Sequence, residues 1–174
     1  MELKAIYEAL KKSKSSFEHL EAIHSPGVYA VFLKSQTTFP FKNIDGLIYI
    51  GSTSNLAQRQ FNTHFETGSS GFSTLRRSIG AILKKEFNLS AIPRSNGSSE
   101  TNYKNYKFTE IGEEKITTWM TKNLEVGVYA TDLDVEKNLI ACFKPVLCLK
   151  DWNNPDREQI KKLREICADE AKNI

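Results

Sequence analysis

Three short apolar runs, each bounded by turn-forming residues, limit the folds open to this chain. "VYAVFL", Val28 to Leu33, follows the breaker "HSPG". "LIYI", Leu47 to Ile50, is closed by Gly51, and "VGVYA", Val126 to Ala130, comes much later. Runs this short, rich in valine, isoleucine and tyrosine, have the length and composition of strands rather than helices. The first two are joined by the polar "KSQTTFPFKNID". That order predicts an antiparallel pair with a long connection.

Helical periodicity fills most of the remainder. Leu3, Ile6, Tyr7 and Leu10 fall on one face of an N-terminal helix. A second helix is expected over roughly 54–66, with Ser52, Thr53 or Ser54 as its cap. Ser73 caps the next, whose buried stripe is Leu75, Ile79, Ile82 and Leu83. "NLSAIPRSNGSSETN" reads as a loop and "YKFTE" as a short strand. "EEKITTWMTKNL" is helical, and so is "DLDVEKNLIACF", with Asp132 as its expected cap and Pro145 as its end. Pro155 opens a last amphipathic helix carrying Ile160, Leu163 and Ile166. The expected fold class is therefore α+β: a three-stranded, mostly antiparallel sheet flanked by helices, with helical extensions at both termini.

At 174 residues with 40% apolar and 26% charged side chains, the chain has the composition of one soluble globular domain. Its net charge of +3 is too small to argue for a polyanionic partner by itself. The three cysteines, Cys142, Cys148 and Cys167, form no CxxC pair and read as reduced thiols. The first residues lack the apolar core of a signal peptide, and no apolar run reaches the roughly 20 residues a membrane span needs. A cytoplasmic protein without membrane partners is the expectation.

Three common chemistries find no support in the residues. Gly46-x4-Gly51-Ser52-Thr53 superficially matches a phosphate-binding loop, but it lacks the lysine, and the residues between the glycines are a strand. Backbone N–H groups committed to a sheet cannot cradle phosphates. There is no GxSxG, and His19, His24 and His64 are too scattered for a hydrolase triad or a zinc site.

Taken one at a time, the remaining polar residues have ordinary readings. Glu136 shares a helical face with Leu139, Ile140 and Phe143, and a carboxylate there needs a partner, a cation or an outlet to solvent. Arg59 alone reads as a surface arginine, His64 as a satisfied core histidine, and Tyr29 and Tyr49 as tyrosines at the core edge.

In their order along the chain these residues resemble one family. "GVYAVF" at Gly27–Phe32 looks like the first element of the GIY-YIG nucleases, and "YIG" at Tyr49–Gly51 matches the second. Arg59 follows Tyr49 at the family's ten-residue spacing. "VEKNLIACFKP", Val135 to Pro145, looks like the family's glutamate helix. The resemblance covers roughly Ser25 to Leu149. It implies a metal-dependent DNA endonuclease using Mg2+ or Mn2+. Glu136 would be the metal ligand, Tyr29 the base, Tyr49 its positioning partner and Arg59 the phosphate fork. Tyr49 is expected at the strand's end, with Gly51 turning the backbone sharply into the next helix.

Two departures accompany the match. Many members carry a histidine four residues after the arginine, whereas His64 comes five after, a rotation of roughly 140° on an ideal helix. A one-residue bulge would restore the register, and on that reading His64 is expected to be catalytic. Where many members have an asparagine after the proline, this chain has Cys148; Asn153 or Asn154 follows. Residues 25–154 are then the nuclease-like domain, with an insertion at about 90–125, between an N-terminal helical extension at 1–24 and a C-terminal helix at 155–174. Arg76, Arg77, Lys84 and Lys85 are the candidate nucleic-acid-binding face, or equally a solvated one. The competing functions are a non-cutting nucleic-acid-binding module of the same fold and a structural or interaction protein.

Overall fold

A computed structural model describes residues 3–20, 23–56 and 60–174. Its elements in chain order are α1 (Leu3–Lys12), β1 (Gly27–Leu33), β2 (Leu47–Thr53), α2 (Gln60–Phe65), α3 (Thr74–Phe87), β3 (Ala91–Ile92), α4 (Glu100–Lys104), β4 (Lys107–Phe108), α5 (Glu110–Asn123), β5 (Leu124–Ala130), α6 (Val135–Phe143) and α7 (Arg157–Lys172). They form two compact units: Met1–Phe61 with Thr121–Asp156, and Asn62–Met120 with Arg157–Ile174. No described helix is long and apolar enough to cross a membrane.

The first unit is built on a three-stranded antiparallel sheet of order β2-β1-β5, as the apolar runs predict. All seven residues of the central strand β1 are buried. Side chains alternate between sheet faces, so both faces of β1 are covered, which explains why its run is continuous rather than alternating. Ile6, Tyr7 and Leu10 of α1 join Val28, Ala30, Phe32, Leu47 and Ile50 of the sheet and Leu139 and Ile140 of α6 in one core. Tyr7 stacks on Phe143, with ring centroids 3.9 Å apart. The helix reaches the sheet so closely because position 127 is glycine: a Cβ there would occupy the place of the Leu10 carbonyl.

The free edge of β2 is closed by the segment after α6. Leu147 N–H donates to the Ile48 carbonyl at 2.8 Å. The Cys148 thiol accepts from Ile50 N–H at 3.4 Å and donates to the Ile50 carbonyl at 3.3 Å. Trp152 Nε1 and Asn154 Nδ2 both donate to the Cys148 carbonyl, and Asn154 also holds Val146 O at 2.7 Å. A chain segment bonded along an edge strand removes the row of open backbone groups that invites aggregation.

The second unit packs α3 against α7, α5 and the antiparallel β3–β4 pair. Ser73 caps α3 by accepting from Arg76 N–H. Residues Leu75 to Ala81 are buried around the whole helix circumference, so α3 is a core helix rather than the amphipathic one its stripe suggests. Gly80 gives the Phe108 ring and Ile116 room to lie against the helix.

Some local expectations differ from the fold. β2 runs on to Thr53, and the described part of the following helix begins only at Gln60. The Thr53 hydroxyl accepts from Asn55 N–H instead of capping that helix. The expected loop over 88–102 contains β3 and the start of α4, where Ser99 accepts from Asn102 N–H as the cap. α6 starts at Val135 with Asp134, not Asp132, at the cap position, and no side-chain bond closes it.

Candidate active site

Tyr29 lies in the middle of the sheet opposite Gly51, and Tyr49 pairs with Val31 one step along the same face. Their rings are 6.2 Å apart between centroids at an interplanar angle of 30°. Tyr49 is thus inside β2, not at its end. Gly51 has no positive φ; among the described glycines only Gly46, Gly68 and Gly97 do. Its requirement is space. A Cβ at Gly51 would stand 2.5 Å from Tyr29 Oη and 2.6 Å from its Cζ, so the tyrosine ring occupies the place a side chain would fill. The expected sharp turn at Gly51 is replaced by a close approach of side chain to strand.

The carboxylate comes from α6. Leu139 and Ile140 anchor that helix in the core, and Glu136 sits half-buried one turn earlier, in the helix's first turn. A negative charge is favoured there by the helix dipole. Glu136 Oε2 accepts a short hydrogen bond from the Ser52 hydroxyl. Tyr29 is only 4% exposed. Burial first, and then the charges of Tyr49, Glu136 and Cys148, hold its phenol well above the usual 10. Burial likewise pushes the Cys148 thiol up to about 12, so it stays protonated against β2 and is no nucleophile.

The structure thus gathers Tyr29, Tyr49 and Glu136, each singled out in the sequence, and adds Ser52 and Cys148. Ser52 was legible only as a possible helix cap; its place beside the "YIG" on a strand was the signal that could have found it. Asn153 is exposed, and Asn154 is buried in holding the Val146–Cys148 segment. Arg59 lies outside the described residues.

His64 belongs to the second unit, on the α-helical turn Gln60–Phe65, and is 8% exposed. Its Nδ1 lies 2.6 Å from the Ser73 hydroxyl. That hydroxyl also accepts from Arg76 N–H, so the imidazole is tied to the capped start of α3. Burial and the neighbouring Arg76 lower its pKa from 6.5 to about 4. The unfolded chain therefore binds the extra proton between those values. Stability from the neutral buried ring is complete above about pH 6.5 and is lost as pH falls from there towards 4. In urea unfolding, the wild type is expected to lose about 2 kcal/mol more than His64→Gln between roughly pH 7.5 and pH 5. Parallel pH profiles for the two proteins would contradict this environment.

Arg76, Arg77, Lys84 and Lys85 do not form the exposed basic face considered from the sequence. Arg76 is 0% exposed: its Nη2 meets Glu113 Oε2 at 2.7 Å and Thr117 Oγ1 at 3.0 Å. Arg77 is buried and donates to Ser70 O at 2.9 Å. Lys84 pairs with Glu170 at 2.6 Å, and of the four only Lys85 is exposed. The Arg76 guanidinium faces inward because Glu113, itself 2% exposed, supplies the charge that makes its burial tolerable.

An antiparallel sheet presenting two phenols, with a helix-borne carboxylate held against its strand, is the frame of a nuclease-type α+β catalytic domain. The model of the GIY-YIG catalytic domain matches residues 27–167, and the chain belongs to that family. No curated protein and no solved structure matches it.

Proposed function

We propose that the protein is a metal-dependent endonuclease that hydrolyses phosphodiester bonds in DNA. The observation that carries the reading is the convergence of Tyr29, Tyr49 and Glu136 at one place on the sheet, in a chain of a nuclease-type family. Phosphodiester hydrolysis needs a positioned water, relief of charge on the phosphoryl oxygens and support for the leaving oxygen.

Among the described residues no group of three or more His, Cys, Asp and Glu side chains is placed to cage a cation. A lone half-buried carboxylate held by one serine hydroxyl suits a hard ion that keeps most of its water, and Mg2+ or Mn2+ fits that donor. Glu136 would hold it, and the ion, when bound, would supply the charge relief and leaving-group support. Tyr29 keeps its proton at neutral pH in this enclosure, so it serves as a donor that orients the water or phosphate, and as a base only with positive charge set against it. Tyr49 fixes the Tyr29 ring. Arg59 would give the phosphate a two-point contact. We assign His64 to the Ser73–Arg76–Glu113 network rather than to proton transfer, since its Nδ1 is engaged there. The non-cutting binding module would need a gripping surface other than Arg76 and Arg77, which are buried.

The test is incubation with plasmid, linear duplex, single-stranded and branched DNA in Mg2+ or Mn2+, with a chelator control. Cation-dependent cutting of at least one substrate is expected. Intact DNA in every arm would overturn the reading.

A further inference from the structure

We propose that Ser52 is a positioning residue: its hydroxyl fixes the Glu136 carboxylate so that one oxygen is satisfied by the protein and the other is left for a ligand. The proposal rests on the reading of Glu136 as the cation's holder.

Ser52 sits on β2 directly after Gly51, paired with Val28 of β1, so the antiparallel ladder fixes its backbone. Its Oγ donates to Glu136 Oε2. No other hydrogen bond from a described side chain reaches that carboxylate, and no described lysine or arginine pairs with it. A half-buried carboxylate without a partner carries a large desolvation cost, and the serine meets part of it. The kind of partner matters. A lysine or arginine would neutralise the charge that a cation needs. A hydroxyl stabilises the ionised form and selects one rotamer while leaving the negative charge in place. Sheet and helix are packed together through Leu139 and Ile140, and the Ser52 bond ties the Glu136 carboxylate itself to β2.

Outer partners of this kind are typically worth 10- to 100-fold in metal affinity. Mn2+ binding to the full chain is measured by the loss of the free-ion electron paramagnetic resonance signal, for wild type, Ser52→Ala, Ser52→Thr and Glu136→Gln. The Mn2+ concentration giving half-maximal cleavage is measured alongside. Ser52→Ala is expected to weaken binding about 10- to 100-fold, to raise the half-maximal concentration in parallel and to recover most cleavage at high Mn2+. Ser52→Thr, which keeps the hydroxyl, is expected to restore the wild-type values to within a few-fold. A loss of cleavage that high Mn2+ does not repair would mark a merely structural serine and overturn the proposal. If Glu136→Gln loses Mn2+ while Ser52→Ala binds it like wild type, Ser52 has no positioning role and the Glu136 assignment stands. If wild type takes up no Mn2+, or Glu136→Gln binds it undiminished, the Glu136 assignment itself falls.

Discussion

Glu136→Gln is expected to lower cleavage by about 10³- to 10⁴-fold while leaving DNA binding unchanged or tighter. Cation support of a phosphoryl transition state is worth several kcal/mol, and each 1.4 kcal/mol or so is a factor of ten. Glutamine keeps the size and helix preference of glutamate, and its amide oxygen can still accept from Ser52, so α6 should stay seated through Leu139 and Ile140. The loss would then be one of charge alone. Removing a negative group from the site also removes repulsion towards phosphate, which is why binding does not weaken. Single-turnover cleavage and a mobility shift on the same preparation separate the two effects. Wild-type-like cutting would sink the assigned site.

The second large effect is expected from one added methyl group. In Gly51→Ala the new Cβ meets Tyr29 Oη and Cζ at 2.5 and 2.6 Å, and Tyr29 is buried. Either the ring or the strand must move. Overpacking of this kind costs about 1–3 kcal/mol of stability. Displacing the phenol is expected to cost about 10²- to 10⁴-fold in rate, as for a lost acid–base group. A double variant identifies the cause. With Tyr29→Ala already present, Gly51→Ala should cost little further stability, because the space is vacated, while activity stays lost. Additive stability losses, or a fully active Gly51→Ala, would show that the ring does not rest on the glycine.

Much of the first unit was legible because its signals are local. β1, β2 and β5 announce themselves as short apolar runs, and α6 by the spacing of Glu136, Leu139, Ile140 and Phe143. Tyr29, Tyr49 and Glu136 stand out in the sequence through their order along the chain, and the fold brings them near one another. What escaped depends on partners distant in sequence. The need for glycine at 51 arises from the β1–β2 register, and no window around Gly51 contains Tyr29. Ser52 looked like a helix cap because small hydroxyl residues serve both roles. Arg76 and Arg77 read as a solvated face because a charged residue's burial is decided by its partners, here Glu113 on another helix for Arg76 and the Ser70 carbonyl for Arg77. His64 was drawn towards catalysis by its place in the chain, while its described bonding is decided by Ser73.

Gly127 carries a consequence for where the catalytic unit begins. The family match starts at residue 27, yet the Leu10 carbonyl rests on Gly127, and Ser13 Oγ accepts from Val128 N–H at 2.9 Å. Trimming the chain to the matched segment would strip Ile6, Tyr7 and Leu10 from Val28, Ala30 and Phe32 and wet one face of the central strand. The smallest fragment able to fold is therefore longer than the smallest stretch that can be recognised. A helix lying outside the matched segment is as much a part of the folded unit as the tyrosines on the sheet it covers.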